Sequence, residues 1–127
     1  MAVTYTTAVK TARMTAVRDQ IDAGGAAGKL EIMTAGSVVL ATIALGYSGA
    51  TTGTISGTVL TLAGFPRSDS SADSTGTAAL ARIRTSANVD VVTGLTVGTT
   101  GSDINLDSVS ITTGQVVTLN SATITHA

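Results

Sequence analysis

Residues 24–34 read Gly24-Gly25-Ala26-Ala27-Gly28-Lys29-Leu30-Glu31-Ile32-Met33-Thr34, and the change of period inside this stretch decides the fold. Before it, apolar residues recur at helical spacing; after it they alternate. Glycine reaches the left-handed backbone region at little cost and so ends helices, which makes 24–28 a stop and a hinge. In Lys29-Leu30-Glu31-Ile32 the leucine and isoleucine fall on one face of an extended chain and the two charges on the other. That is the pattern of a half-solvated strand.

On the N-terminal side, residues 6–23 hold Ala8, Lys10, Ala12, Arg13, Met14, Ala16, Arg18 and Gln20 with no glycine or proline, and form the one convincing helix. At 100° per residue Met14, Val17 and Ile21 share a face, with Val3 in line, and this face is expected to be buried. Val9, Ala12, Ala16 and Ala23 make a second, narrower apolar row. Either both rows lie against the chain's own sheet, or one of them meets a second subunit. With the segment that precedes the helix, the second reading makes Val3, Tyr5, Val9, Ala12 and Ala16 the candidate contacts.

On the C-terminal side, strand-sized segments are predicted at 29–34, 38–45, 54–62, 77–84, 89–97, 103–110 and 115–125, separated by Gly, Ser and Asn clusters. Arg82-Ile83-Arg84 places two guanidinium groups on one outer face. Seven or eight short strands with no helix between them point to a mainly β fold, an antiparallel β-sandwich or jelly-roll-like barrel preceded by one amphipathic helix. The organisation is an arm, helix and hinge over 1–28 and a β-domain over 29–127, one structural domain in all. Residues 66–76, Pro-Arg-Ser-Asp-Ser-Ser-Ala-Asp-Ser-Thr-Gly, form the most polar window and are expected to be a long, weakly ordered loop; Thr51-Thr52-Gly53-Thr54 reads as a smaller turn of the same kind.

Composition narrows the function. The 127 residues carry 7 Lys+Arg against 8 Asp+Glu, a net charge of -1, and charged residues are 12% of the chain, about half the share in an average soluble domain. Such a chain has no basic excess with which to neutralise phosphates, and nucleic acid is excluded as an expected partner. The 24 threonines, β-branched and at ease on a pleated surface, take the place of the missing charge. Aromatic residues are 2% (Tyr5, Tyr47 and Phe65), too few for base- or sugar-stacking platforms. The uncharged stretch from Ile32 to Pro66 is too rich in Gly, Ser and Thr to supply the roughly 20 apolar residues of a spanning helix. No membrane partner is expected, no secretory signal is readable in the first thirty residues, and synthesis in a cytoplasm is the default.

Chemistry-bearing constellations fail one by one. The sole histidine, His126, lies one residue from the end of the chain, a poor place for a general base. Without cysteine there is neither a thiol nucleophile nor a zinc cluster of the common type. Asp103-Ile104-Asn105-Leu106-Asp107 puts oxygen ligands at positions 1, 3 and 5 of a calcium-type loop, but Ser108 and Gly114 stand where Gly and Glu are needed; an ordinary strand fits better. The glycines of Gly46-Tyr47-Ser48-Gly49 precede no Lys-Ser/Thr and no helix, so they are turn residues rather than a phosphate cradle. No catalytic residue, metal or cofactor is expected, and the chain reads as a non-enzyme.

The layout resembles the small head decoration, or cement, proteins of tailed bacteriophages. The residues that carry the resemblance are the helix over 6–23, the break Gly24 to Gly28, Leu30-Glu31-Ile32, and above all the C-terminal run Thr96-Val97-Gly98-Thr99-Thr100-Gly101-Ser102-Asp103-Ile104-Asn105-Leu106, continued by Ser110-Ile111, Thr113-Gly114-Gln115-Val116-Val117 and Thr123-Ile124-Thr125. The resemblance implies a virion structural protein on the capsid exterior that bridges capsomers by binding the major capsid protein, arranged as a homotrimer. Alternatives from the residues alone are a head-completion or tail-tube component, and a carbohydrate-binding or adhesion β-module motivated by the polar window Arg67 to Gly76.

Overall fold

A computed structural model describes residues 4–46, 52–64 and 66–125. The fold is mainly β with one N-terminal helix, as the sequence pattern requires. The helix is α1 (Thr7–Ile21); the strands are β1 (Lys29–Met33), β2 (Val39–Ala44), β3 (Gly53–Ser56), β4 (Val59–Leu62), β5 (Arg67–Asp69), β6 (Gly76–Thr77), β7 (Leu80–Arg84), β8 (Asp90–Gly98), β9 (Ile104–Leu106), β10 (Ser110–Ile111) and β11 (Val117–Thr125).

Thr6 caps α1: its backbone is extended and its Oγ1 accepts the Val9 N–H at 3.4 Å, satisfying one of the orphan donors of the first turn. Met14 and Ile21 are buried and Val17 packs against the core, so the expected face is the inner one. At the hinge Gly25 takes φ 78°. Gly28 is needed for a different reason. A Cβ there would stand 2.6 Å from Ile21 Cγ2 and 3.0 Å from the Arg84 carbonyl oxygen, so the chain can pass between the helix end and β7 only as glycine.

The strands form one sheet in the order β2-β1-β7-β8-β9-β11-β4-β3, with β5 also paired to β11, while β6 and β10 pair separately. Alternation along β1, β7, β9 and β11 sends Leu30, Ile32, Ile83, Ile104, Leu106 and Leu119 into a single core, each almost fully buried. Burying a side chain of this size stabilises the fold by about 1.5–3 kcal/mol.

The sheet curls because its two halves meet. One edge of β2 pairs with β1; the other is taken up by the segment around β5. Asp69 Oδ2 accepts the Thr42 N–H at 3.0 Å, Asp73 donates its N–H to the Leu40 carbonyl at 2.7 Å, and Arg67 Nη1 donates to the Ala44 carbonyl at 3.3 Å. Since β5 is laddered to β11 on its far side, the sheet returns on itself as a half-barrel. The polar window over 66–76 is therefore not the loose loop expected of it. Ala72 is 2% exposed within it, and the side chains of Asp69 and Arg67 bond the backbone of β2.

Every other expected strand is present, with differences that have local causes. The segment 54–62 is a hairpin, β3 and β4, turned by Gly57 at φ 58°. The segment 77–84 divides into β6 and β7 because the Ala78 N–H bonds Val109 and the Ala79 N–H bonds Met33, a change of partner in mid-run. The segment 103–110 divides into β9 and β10. Thr52 and Gly53, expected in an exposed turn, are buried; Thr51 lies outside the described residues. The pairing is also not purely antiparallel, for β8 and β9 run parallel.

That parallel pair is unusual in being joined by the short link between Gly98 and Ile104, where a crossover of a dozen or more residues is customary. Gly101 at φ 69° makes the reversal possible. Asp103 and Thr96 then clasp reciprocally: Asp103 Oδ2 accepts the Thr96 N–H and Thr96 Oγ1 accepts the Asp103 N–H, both at 3.1 Å. Asn105 holds the link from beneath, accepting the Ser102 N–H at 3.1 Å and donating to the Ser102 carbonyl at 3.0 Å and to Ser121 Oγ at 2.9 Å.

Candidate interaction surface

The helix presents two faces of different fate. Its inner face is fixed by packing and by two bonds to the β3–β4 hairpin: Thr11 Oγ1 donates to the Gly57 carbonyl at 2.6 Å and Arg18 Nη1 to the Gly53 carbonyl at 3.3 Å. The Arg18 bond also occupies a carbonyl of β3, the last strand in the sheet order, and so helps blunt an edge that could recruit another chain.

The second apolar row is not covered. Val9 is 41% exposed, and Ala12, Ala16 and Ala23 are exposed as well. The reading in which both rows lie against the chain's own sheet is thereby corrected. Met14 and Ile21 occupy the side of α1 that meets the core, and the second row, about a third of a turn away, stays outside that contact. Tyr5, 40% exposed, continues the row toward the N-terminus. Its ring is held by Arg13, whose guanidinium carbon lies 3.9 Å from the ring centroid, an arrangement worth about 0.5–1 kcal/mol at an exposed site. Of the candidate contacts, Tyr5, Val9, Ala12 and Ala16 thus share one exposed ridge; Val3 lies outside the described residues.

The ionisable groups are mostly absorbed in structure. On the outer face of β1, β7 and β8, Glu31 pairs with Arg82 through Oε1 and Nε at 2.5 Å and lies 3.6 Å from Arg84 Nη1. Arg84 Nε in turn approaches Asp90 Oδ1 to 2.8 Å, a charge contact without hydrogen-bond alignment. Lys29 Nζ donates to Asn88 Oδ1 at 2.8 Å. The shared outer face expected for Arg82 and Arg84 is present, and Glu31 between them is the reason both are tolerated there. Sequence reading left this centre unnoticed: alternation puts Glu31 and Arg82 on outer faces, but only the pairing of β1 with β7 sets them directly opposite.

The Asp103-Asn105-Asp107 run has the strand geometry expected of it. Ile104 and Leu106 are buried between the polar residues, Asp103 and Asn105 lock the β8–β9 link, and Asp107 Oδ1 accepts from Asn120 Nδ2 at 2.7 Å. Among the described residues no three His, Asp or Glu side chains gather as a metal site, no pocket is found, and no helix is long and apolar enough to cross a membrane. His126, Tyr47, Ser48, Gly49 and Phe65 lie outside the described residues. No protein-family model matches the chain, and comparison with curated proteins and with solved structures returns no match.

Proposed function

We propose that this chain is a non-enzymatic structural subunit of a virion, a head decoration protein that sits on the exterior of a tailed-bacteriophage capsid, bridges capsomers through the major capsid protein, and associates with itself as a homotrimer. The observation that carries the reading is the ridge Tyr5-Val9-Ala12-Ala16, apolar, rigid because it rides on a packed helix, and left open by the chain's own core. Rigid ridges of small residues allow close approach of a neighbouring backbone. The resemblance of the helix, the glycine break and the Thr/Gly-rich C-terminal run to decoration proteins supports the same reading. A protein fixed in many copies on a lattice draws on high effective concentration, so each contact can be small and uncharged, and a closed ring of three satisfies its own symmetry.

Sedimentation of the isolated protein, alone and mixed with expanded shells of a tailed-bacteriophage major capsid protein, tests the proposal. A trimer or shell-bound form that Val9→Asp with Ala12→Asp disperses is the expected result. A monomer that fails to co-migrate with shells would end the proposal. A copy number in purified particles that follows the shell lattice, rather than a single ring, separates decoration from a connector or tail component.

A further inference from the structure

The sheet β2-β1-β7-β8 is built from two copies of one hairpin. Shifting the sequence by 51 residues, the separation of Glu31 and Arg82, lays Ile32, Thr34, Val38 and Thr42 on Ile83, Thr85, Val89 and Thr93. Three bonds of each turn correspond, and the second adds one from the Ala87 N–H to Thr85 Oγ1 at 3.2 Å. In the first, the Thr34 N–H donates to the Val38 carbonyl at 3.0 Å, the Ser37 N–H to the Thr34 carbonyl at 2.9 Å, and the Val38 N–H to Thr34 Oγ1 at 3.2 Å. In the second, the Thr85 N–H donates to Val89 at 2.9 Å, the Asn88 N–H to Thr85 at 2.9 Å, and the Val89 N–H to Thr85 Oγ1 at 3.2 Å. Ser37 and Asn88, at equivalent places, are the two non-glycine residues of positive φ among the described residues, 66° and 64°. Both hairpins then carry a bulge at the same point: Ile32 faces Ala41 while Met33 faces Val39, and Ile83 faces Val92 while Arg84 faces Asp90, leaving Leu40 and Val91 as the extra residues.

The two copies are related by a local two-fold axis through Glu31 and Arg82. Exchanging the hairpins turns the pair Lys29–Arg84 into Leu80–Met33, and Leu30–Ile83 into Ala81–Ile32, each of which is a true pair of the register. Because β1 and β7 run antiparallel, the two turns project from opposite ends of the sheet. Each ends in an exposed valine, Val38 at 51% and Val89 at 61%, after loop residues that are themselves uncharged, Ala35-Gly36-Ser37 and Ser86-Ala87-Asn88; the second turn also holds the Lys29 ammonium on Asn88 and is followed by Asp90, which pairs with Arg84.

We propose that these turns are two equivalent contact sites that engage two copies of one partner surface, uncharged and shallow enough to receive a single β-branched side chain. A body with like ends related by a two-fold fits two like neighbours, and the inference rests on the reading above in making those neighbours adjacent shell subunits. Bridging follows directly: each end holds one neighbour, and losing either end costs the gain from simultaneous engagement.

The test compares wild type with Val38→Lys, Val89→Lys, the double variant and Val116→Lys, the last an equally exposed valine (57%) outside the repeat, by co-sedimentation with the same expanded shells. All three sites are exposed, so melting temperatures stay at the wild-type value. Expected are losses in shell affinity of about tenfold or more, similar for the two single variants, with the double variant not bound and Val116→Lys unaffected. Wild-type binding that neither single variant weakens overturns the two-site proposal while leaving the decoration reading standing. Loss in only one of them overturns the equivalence, loss with Val116→Lys overturns the assignment to the repeat, and failure of wild type to bind shells overturns both readings.

Discussion

Replacing Asp69 with alanine is expected to open the half-barrel at the joint between β2 and β5. The carboxylate accepts two backbone N–H groups, from Thr42 at 3.0 Å across the joint and from Ser71 at 3.1 Å within its own turn. Hydrogen bonds to a charged acceptor contribute about 1.5–3 kcal/mol each. The Ser71 bond is exposed and belongs at or below the low end; the part-buried Thr42 bond falls near the middle, and a donor left bare there adds desolvation cost. The expected loss is about 3 kcal/mol. For a chain of this size 1 kcal/mol moves the melting temperature by about 3–5 °C, so Asp69→Ala should melt about 10 °C below wild type in a thermal scan followed by circular dichroism. Asp69→Asn, which keeps an acceptor oxygen, should recover part of the difference. Hydrogen exchange gives a local reading: the Thr42 amide should exchange faster in the variant while amides of Leu30 and Ile32 in β1 keep their protection. A melting temperature within about 2 °C of wild type, or an unchanged Thr42 amide, would refute the argument that this carboxylate closes the sheet.

Asn105→Ala removes three hydrogen bonds beneath the parallel link and should cost about 2–3 kcal/mol in urea denaturation; a change below about 1 kcal/mol would mean that Gly98 and Gly101 shape the link unaided. Ser37→Gly relieves a left-handed serine and should stabilise by about 0.5–1 kcal/mol, whereas Asn88→Gly should gain less, since asparagine tolerates that conformation and its Oδ1 takes the Lys29 ammonium. Gly53→Ala would set a Cβ 2.7 Å from the Thr61 carbonyl oxygen and 3.2 Å from Leu62 Cα, both backbone of β4, and should destabilise by about 1–3 kcal/mol; an unchanged denaturation midpoint would show that the β3–β4 ladder shifts freely. Calcium should leave the melting temperature of wild type where it is, because Asp103, Asn105 and Asp107 are already committed to Thr96, Ser102, Ser121 and Asn120. A rise with calcium would reopen the metal-loop reading of that run.

Much of this was decided locally and so could be read along the chain. The helix, its glycine stop, and the inward face Met14-Val17-Ile21 follow from spacing and from the conformational freedom of glycine, which need no tertiary partner to operate. The alternation of Leu30, Ile32 and Ile83 with Glu31, Arg82 and Arg84 likewise determined which side of β1 and β7 faces the core, because a pleated strand leaves no other choice. What alternation cannot say is which strand lies beside which. The window 66–76 looked like a loop because it is polar, and polarity reports only that a residue wants hydrogen bonds. That the side chains of Asp69 and Arg67 find theirs on the backbone of β2 depends on a curl of the whole sheet. The short parallel link is hidden for the same reason: Asp103 and Asn105 meet Thr96, Ser102 and Ser121 only once β8, β9 and β11 are assembled. The second row of α1 was visible as a row, but whether Val9, Ala12 and Ala16 would be covered was a question about the concavity of a surface formed by residues far along the chain. Spacing and backbone stereochemistry act within a few residues and are written in the sequence; closure, coverage and strand partnership are properties of the assembled sheet, and only the tertiary structure decided them.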